Sequence, residues 1–325
     1  MRILLSSDHR YPAFNEVGSG LHPKLFPSGS AYLVHDLLAR GLAELGHEVF
    51  YLLREGADKP LPRGVALVSE LVPDADILHT VAYHDEDLIP QRQSLRKPWV
   101  TTCHLDLEAR GKPRSRTTDS WIFVSQALAR LHGRTRYVLN GIDPDEYIYS
   151  STKGDYLMFM SAMDWGLEKG LETALALSRR IGFELVVAGT AKDYNTINSV
   201  QEMCKEAKAR YVGDVRGQRK AELLAGAKAF LFPTRVNEAF GLGMAEAMMS
   251  GTPVICSDLG ACPELVSPEV GFVCRNEEEY VDAIRRVGEI SPAACRETAM
   301  TRFHYRRMVS EYVGEYEREI ARNGN

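Results

Sequence analysis

Two glutamates flank a glycine-rich turn in residues 237–254, NEAFGLGMAEAMMSGTPV. Glu238 comes just before Phe240-Gly241-Leu242-Gly243, and Glu246 sits inside the small-residue helix predicted to follow. Upstream, Phe230-Leu-Phe-Pro233 reads as a strand. The layout is therefore strand, loop, helix start, with glycines where the backbone must approach another group closely. Amides near positions 241 to 243 lack intrahelical partners and lie at the positive end of the helix dipole, which makes an anion site. Glu246 follows roughly 6 Å along the axis, at about 1.5 Å rise per residue. Carboxylates only accept hydrogen bonds, so they suit vicinal hydroxyls and repel phosphate. A ligand with phosphates at the helix start and hydroxyls on both sides fits, and a sugar nucleotide has that plan. An isolated acidic pair at this spacing reads first as a helix cap and a surface glutamate, so the surrounding sequence must decide.

The elements that would carry this site alternate along the chain. Arg2-Ile-Leu-Leu-Ser-Ser7, His47 to Leu53, Asp76 to Tyr83, Pro98 to His104 and Trp121 to Ser125 read as strands, and Ser30 to Leu45 as an amphipathic helix stopped by Gly46. The pattern restarts with strands at Tyr156 to Met160, Glu184 to Ala188, Ala229 to Phe232 and Pro253 to Ser257, with helices over 169–181 and 218–228. Continuous apolar strands between helices indicate parallel sheets covered on both faces. The turn-rich segment from Asn140 to Gly154 is the natural linker. The expected domains are 1–148 and 149–305, with a C-terminal helix over 306–325 packing back on the first. In such folds ligands gather at the carboxyl ends of the strands, here in a cleft between domains.

The composition narrows the class. A chain of 325 residues supports two cores, and 45% hydrophobic with 26% charged residues is the balance of a soluble globular protein. A net charge of -5 gives no bulk attraction to nucleic acid or anionic membrane. The longest apolar run, Tyr156 to Met163, is far too short to span a bilayer, and the opening residues lack a signal-peptide layout. Six cysteines are scattered without metal-ligand spacing, which suits thiols in a reducing, cytoplasmic compartment.

The passage around Glu238 and Glu246 resembles the retaining glycosyltransferases of family 4, the glycosyl transferases group 1, which have the GT-B fold. Lys97-Pro-Trp-Val-Thr-Thr-Cys-His104 looks like the family's strand ending in an active-site histidine. Val124-Ser-Gln-Ala-Leu128, Val138-Leu-Asn-Gly-Ile-Asp143, Glu168-Lys-Gly170, Val187-Ala-Gly189, Val212-Gly213, Gly251-Thr-Pro-Val254 and Gly260-Ala-Cys-Pro-Glu-Leu-Val266 follow in the family's order. So does Gly41-Leu-Ala-Glu-Leu-Gly-His-Glu-Val49 near the start. The resemblance implies an α/β fold of two Rossmann-like doubly wound parallel-sheet domains facing each other across a cleft. By resemblance Glu238 holds donor-sugar hydroxyls, Glu246 holds the ribose, and backbone amides of Phe240, Gly241, Leu242 and Gly243 meet sugar and phosphates. Lys169 would neutralise the diphosphate leaving group, and His104 would contact the sugar or stabilise charge at the anomeric centre. Base contacts are expected around Gly213 and Val215, and phosphate contacts from Gly29.

The sequence also departs from that pattern. Ala162 stands where the family usually has an arginine, so one of two expected cations is missing, and Arg235 is the candidate to replace it. The long loop from Asp8 to Gly29 is expected to shape the acceptor pocket, with Tyr11, Phe14 and Phe26 stacking on the acceptor. Asp74-Ala-Asp76 and Asp143-Pro-Asp145 imitate metal-binding motifs but flank turns, and no metal or cofactor is expected. The expected activity is retaining, metal-independent transfer of a sugar from a nucleoside-diphosphate sugar, UDP-sugar favoured, to a sugar, glycolipid or small-molecule hydroxyl. Nucleic acid is excluded as a partner and peripheral membrane contact stays open. A non-catalytic nucleotide-sugar-binding protein and a sugar-nucleotide epimerase are the alternatives.

Overall fold

A computed structural model describes residues 1–13, 30–81 and 96–323. It contains two six-stranded parallel sheets. The first is built from β1 (Arg2–Ser7), β2 (Glu48–Leu53), β3 (Val65–Val68), β4 (Ile77–Val81), β5 (Trp99–Cys103) and β6 (Trp121–Phe123), in the order β3-β2-β1-β4-β5-β6. Helices α1 (Ser30–Glu44) and α2 (Gln126–Leu131) belong to this half. The second half runs β7 (Tyr156–Met160), α3 (Leu171–Ile181), β8 (Glu184–Ala188), α4 (Tyr194–Glu206), β9 (Arg210–Gly213), α5 (Gly217–Gly226) and β10 (Ala229–Phe232). It continues with α6 (Leu242–Met249), β11 (Val254–Ser257), α7 (Cys262–Leu265), β12 (Gly271–Cys274) and α8 (Glu277–Arg286). Its order is β12-β11-β10-β7-β8-β9, the first sheet's order read from its own first strand. Helices α9 (Pro292–Phe303) and α10 (Tyr305–Asn323) complete the chain. The repeated order is that of the doubly wound nucleotide-binding fold, with a switch point between β1 and β4 and another between β7 and β10.

Strands that read as continuous apolar runs lie inside their sheets. Every residue of β4 and of β10 is buried, as two-sided cover requires. The strands absent from the sequence reading are β3, β9 and β12, all of them edges. β3 is only the four residues Val65–Val68, apolar in type but none of them buried, a run too short to stand out as a strand.

Contacts divide the described residues into two units, one holding those up to Ile142 together with those from Phe303, the other Asp143–Arg302. The last helix belongs with the first sheet for identifiable reasons. Tyr316 Oη lies 2.6 Å from His79 Nδ1, and Tyr312 Oη lies 2.8 Å from Thr102 Oγ1, which is itself 2.7 Å from His79 Nε2. Glu319, almost fully buried, accepts from Ser120 Oγ at 3.0 Å and from Arg136 at 2.9 Å. Gly41 lets α1 approach α10, since a Cβ there would fall 2.4 Å from Val309 Cγ2.

His79 is sealed inside this network, and burial pushes its pKa down to about 3. His35, whose ring centroid is 4.8 Å away, is lowered well below its ordinary value by burial, and desolvation takes His104 to about 3. The folded state therefore holds these imidazoles neutral, whereas the unfolded chain protonates them below about pH 6.5. Stability is retained above pH 6.5 and falls as pH drops from there toward 3. At pH 5, His79 and His104 together should make unfolding about 4 kcal/mol easier than at pH 7.5. Urea melts followed by tryptophan fluorescence check this, and a midpoint unchanged between the two pH values contradicts neutral burial.

Candidate active site

In the second unit the carboxyl ends of β7 and β10 are neighbours where the strand order reverses. The loop after β7 carries Lys169, and the loop after β10 carries Glu238. The two loops are fastened by Arg235 N donating to Glu168 O at 2.8 Å. Gly170 permits the approach: its φ is +87°, and a Cβ there would lie 1.9 Å from Pro233 O. The approach brings Lys169 Nζ into an ion pair with Glu238 Oε2. Glu238 is 9% exposed, and Lys169 Nζ also stands 5.8 Å over the Phe232 ring. A third loop closes from below. Ala261 N donates to Glu238 O at 2.8 Å, and a Cβ on Gly260, whose φ is +61°, would fall 2.3 Å from both Glu238 N and O.

Gly241 starts α6 in the left-handed region and, as a glycine, puts no side-chain cap on the first-turn amides. Gly243 rests on β10: a Cβ there would meet Phe230 Cζ at 2.9 Å. The side chain of Phe240 is buried, so its contribution to the site is its backbone. One turn on, Glu246 is 5% exposed among the buried Met244, Ala245, Ala247, Met248 and Met249. Tyr147 Oη donates to Glu246 Oε1 at 2.9 Å, and Lys220 Nζ from α5 lies 3.0 Å from the same oxygen. Burial, reinforced by the Glu246 charge, holds the Tyr147 phenol well above its ordinary pKa, so it remains a donor. Sequence reasoning missed both partners. Glu246 on an otherwise apolar helix was the available signal, because a buried carboxylate demands a cation or donor.

Gly213 ends β9 and accepts from Gly189 N at 2.7 Å, and Val215 beyond it is buried. Arg235 projects outward, 60% exposed, and reaches Glu172 at 3.2 Å. Ala162 begins the short helical turn Met163–Trp165 after β7. In the first unit, His104 follows β5, buried and neutral at pH 7, and among the described residues its Nε2 has no hydrogen-bond partner; it can serve as a hydrogen-bonding group but brings no charge. Cys103 beside it is buried, its thiol pushed up to about 12 by desolvation. Gly29, Phe14 and Phe26 lie outside the described residues. Tyr11 is half-buried and its backbone N donates to Gly56 O at 3.0 Å.

Both metal-like motifs have structural work. Asp74 pairs with Arg2 and Asp76 accepts from Arg2 N at 2.7 Å, while Asp143 caps a short turn through Asp145 N at 3.1 Å. Among the described residues no group of three or more potential metal ligands forms. Within the basic run, Arg114 grips Asp106 at 2.8 and 2.6 Å.

Residues 154–289 match the family model of the glycosyl transferases group 1. The chain is similar to the O-antigen chain mannosyltransferase B of Escherichia coli, 33% identical over 34% of this chain and 28% of the relative. It is also similar to the GDP-mannose:cellobiosyl-diphosphopolyprenol alpha-mannosyltransferase of Xanthomonas campestris, 26% identical over 56% of this chain and 52% of the relative. The matched stretches thus span about a quarter and a half of those two proteins. Among solved structures, AviGT4, a glycosyltransferase involved in avilamycin A biosynthesis, superposes with a TM-score of 0.74 at 23% identity over 98% of both chains, which shows the GT-B fold.

Gly260→Ala should lower unfolding stability by about 2 kcal/mol or more, since alanine is strained at that φ and its Cβ collides with the Glu238 peptide. A thermal midpoint within a degree of the parent would show that the loop yields.

Proposed function

We propose, from the match of residues 154–289 to the glycosyl transferases group 1, that the protein is a metal-independent, retaining enzyme that moves a sugar from a nucleoside-diphosphate sugar to an acceptor hydroxyl. The observation that carries the proposal is the Lys169–Glu238 pair at the β7/β10 switch point, beside the uncapped start of α6. A cation, a helix start at a glycine that carries no capping side chain and a carboxylate stand side by side there, the set that a sugar joined to a diphosphate requires.

In this reading the diphosphate rests on the amides of residues 240–243 and on Lys169, which neutralises charge as the glycosidic bond breaks. Glu238 turns from the lysine to the sugar hydroxyls, and Glu246 receives the ribose hydroxyls. Gly213 and Val215 meet the base, and Gly29 adds phosphate contacts. His104, held neutral, donates or accepts a hydrogen bond at the sugar. The incoming hydroxyl attacks from the face the phosphate leaves, and that phosphate takes its proton, so no carboxylate needs to become a covalent nucleophile. The sequence reading favours a UDP-sugar, and the Xanthomonas relative is named for GDP-mannose, so both donors belong in the test. The acceptor is a sugar, a glycolipid or a small molecule. Six buried free thiols favour a reducing, cytoplasmic setting.

Incubation with labelled UDP-, GDP- and ADP-hexoses, with and without EDTA, should show one donor hydrolysed slowly and independently of metal, and transferred once an acceptor is supplied. NMR should then find the donor's anomeric configuration in the product. Glu238→Gln and Lys169→Met should each reduce kcat about 10²–10³-fold. Binding without turnover of any donor would make the protein a sensor instead. Arg235→Ala should weaken nucleoside-diphosphate affinity by a few kcal/mol if that guanidinium leaves Glu172 for the phosphates. Unchanged affinity in calorimetry would remove it from the site.

A further inference from the structure

Glu246 is held in an unusual way for a ligand-binding carboxylate. It lies on the buried side of α6, where its neighbours are methionines and alanines, and it reaches two donors from separate segments. Tyr147 comes from the stretch just after the short turn Pro144–Glu146, and Lys220 from the first turns of α5. Both address the same oxygen, Oε1, at 2.9 and 3.0 Å. The ammonium also stands 5.4 Å over the Tyr147 ring, so the three side chains form one cluster rather than two separate contacts. Lys220 is itself mostly covered, with 19% of its side chain exposed. Among the described residues nothing bonds to Oε2, and that oxygen is not sealed from solvent.

We propose that Lys220 and Tyr147 are positioning residues for the donor's ribose: they saturate Glu246 Oε1, fix the carboxylate's rotation, and present Oε2 as the single acceptor for ribose hydroxyls. The proposal rests on the sugar-nucleotide reading of the site. A carboxylate on an apolar helix without a countercharge is expensive to ionise and free to rotate, and two donors from different elements remove both faults. Lys220 therefore acts through Glu246 rather than on the phosphates. Its effect on affinity should exist only for ligands that carry ribose hydroxyls.

The test is calorimetry with whichever of UDP, GDP or ADP the parent protein binds, repeated with the 2′,3′-dideoxy analogue of that nucleotide. For the ribose ligand, Lys220→Met should weaken binding about tenfold or more. Tyr147→Phe, which removes only an oxygen, should weaken it by roughly three- to tenfold. For the dideoxy ligand, both variants should match the parent within a factor of two. Equal weakening of both ligands would place Lys220 on the phosphates or base and overturn the proposal, as would a Tyr147→Phe protein that binds the ribose ligand like the parent. If Lys220→Met melts early, Tyr147→Phe decides alone. Failure of the parent to bind any of the three nucleotides is a different result: it removes the donor-site reading, and this inference with it.

Discussion

A half-buried ammonium and a nearly buried carboxylate face each other across the point where the second sheet reverses its strand order. Lys169 and Glu238 come from segments some seventy residues apart, and neither would stand in so dry a place alone. Their meeting depends on backbone rather than on side chains. Gly170 lies against Pro233, and Gly260 against the Glu238 peptide, at separations that admit no Cβ. Three loops from three strands are thus pressed into one layer at the carboxyl edge, and the charge pair sits on top of it. The start of α6 opens onto that layer with no capping side chain.

Buried polarity is met in two ways, by pairing charges and by keeping imidazoles neutral. In the second unit, buried charges are paired: Lys169 with Glu238, Lys220 with Glu246, Arg216 with Asp214. In the first unit, Arg136 pairs with the buried Glu319 in the same manner, and His79 is kept neutral between the hydroxyls of Thr102 and Tyr316. The Lys169–Glu238 pair lies at the carboxyl edge of its sheet, where β7 and β10 are neighbours. Neutral histidines in a hydroxyl network tie strands to the C-terminal helix, and offer no net charge to a ligand.

Much of the layout was legible along the chain. Central strands such as β4 and β10 are buried throughout because both faces are covered, and both were read as strands. The edge strands β3, β9 and β12 were not read: each is four residues long and none is buried throughout, so a short stretch gives little pattern to mark it. Glu238, Glu246 and Lys169 were identified from their types, their spacing and a family resemblance.

Residue type and spacing sufficed for the fold class, for the carboxylates on either side of a helix start and for the glycines beside them, since these follow from short-range periodicity and backbone conformation. Which side chains meet was beyond their reach. That Lys169 pairs with Glu238, that Tyr147 and Lys220 converge on one oxygen of Glu246, and that Arg235 reaches Glu172 all depend on how parallel strands are ordered in a sheet. Strand order brings together residues tens of positions apart, and no local pattern records it.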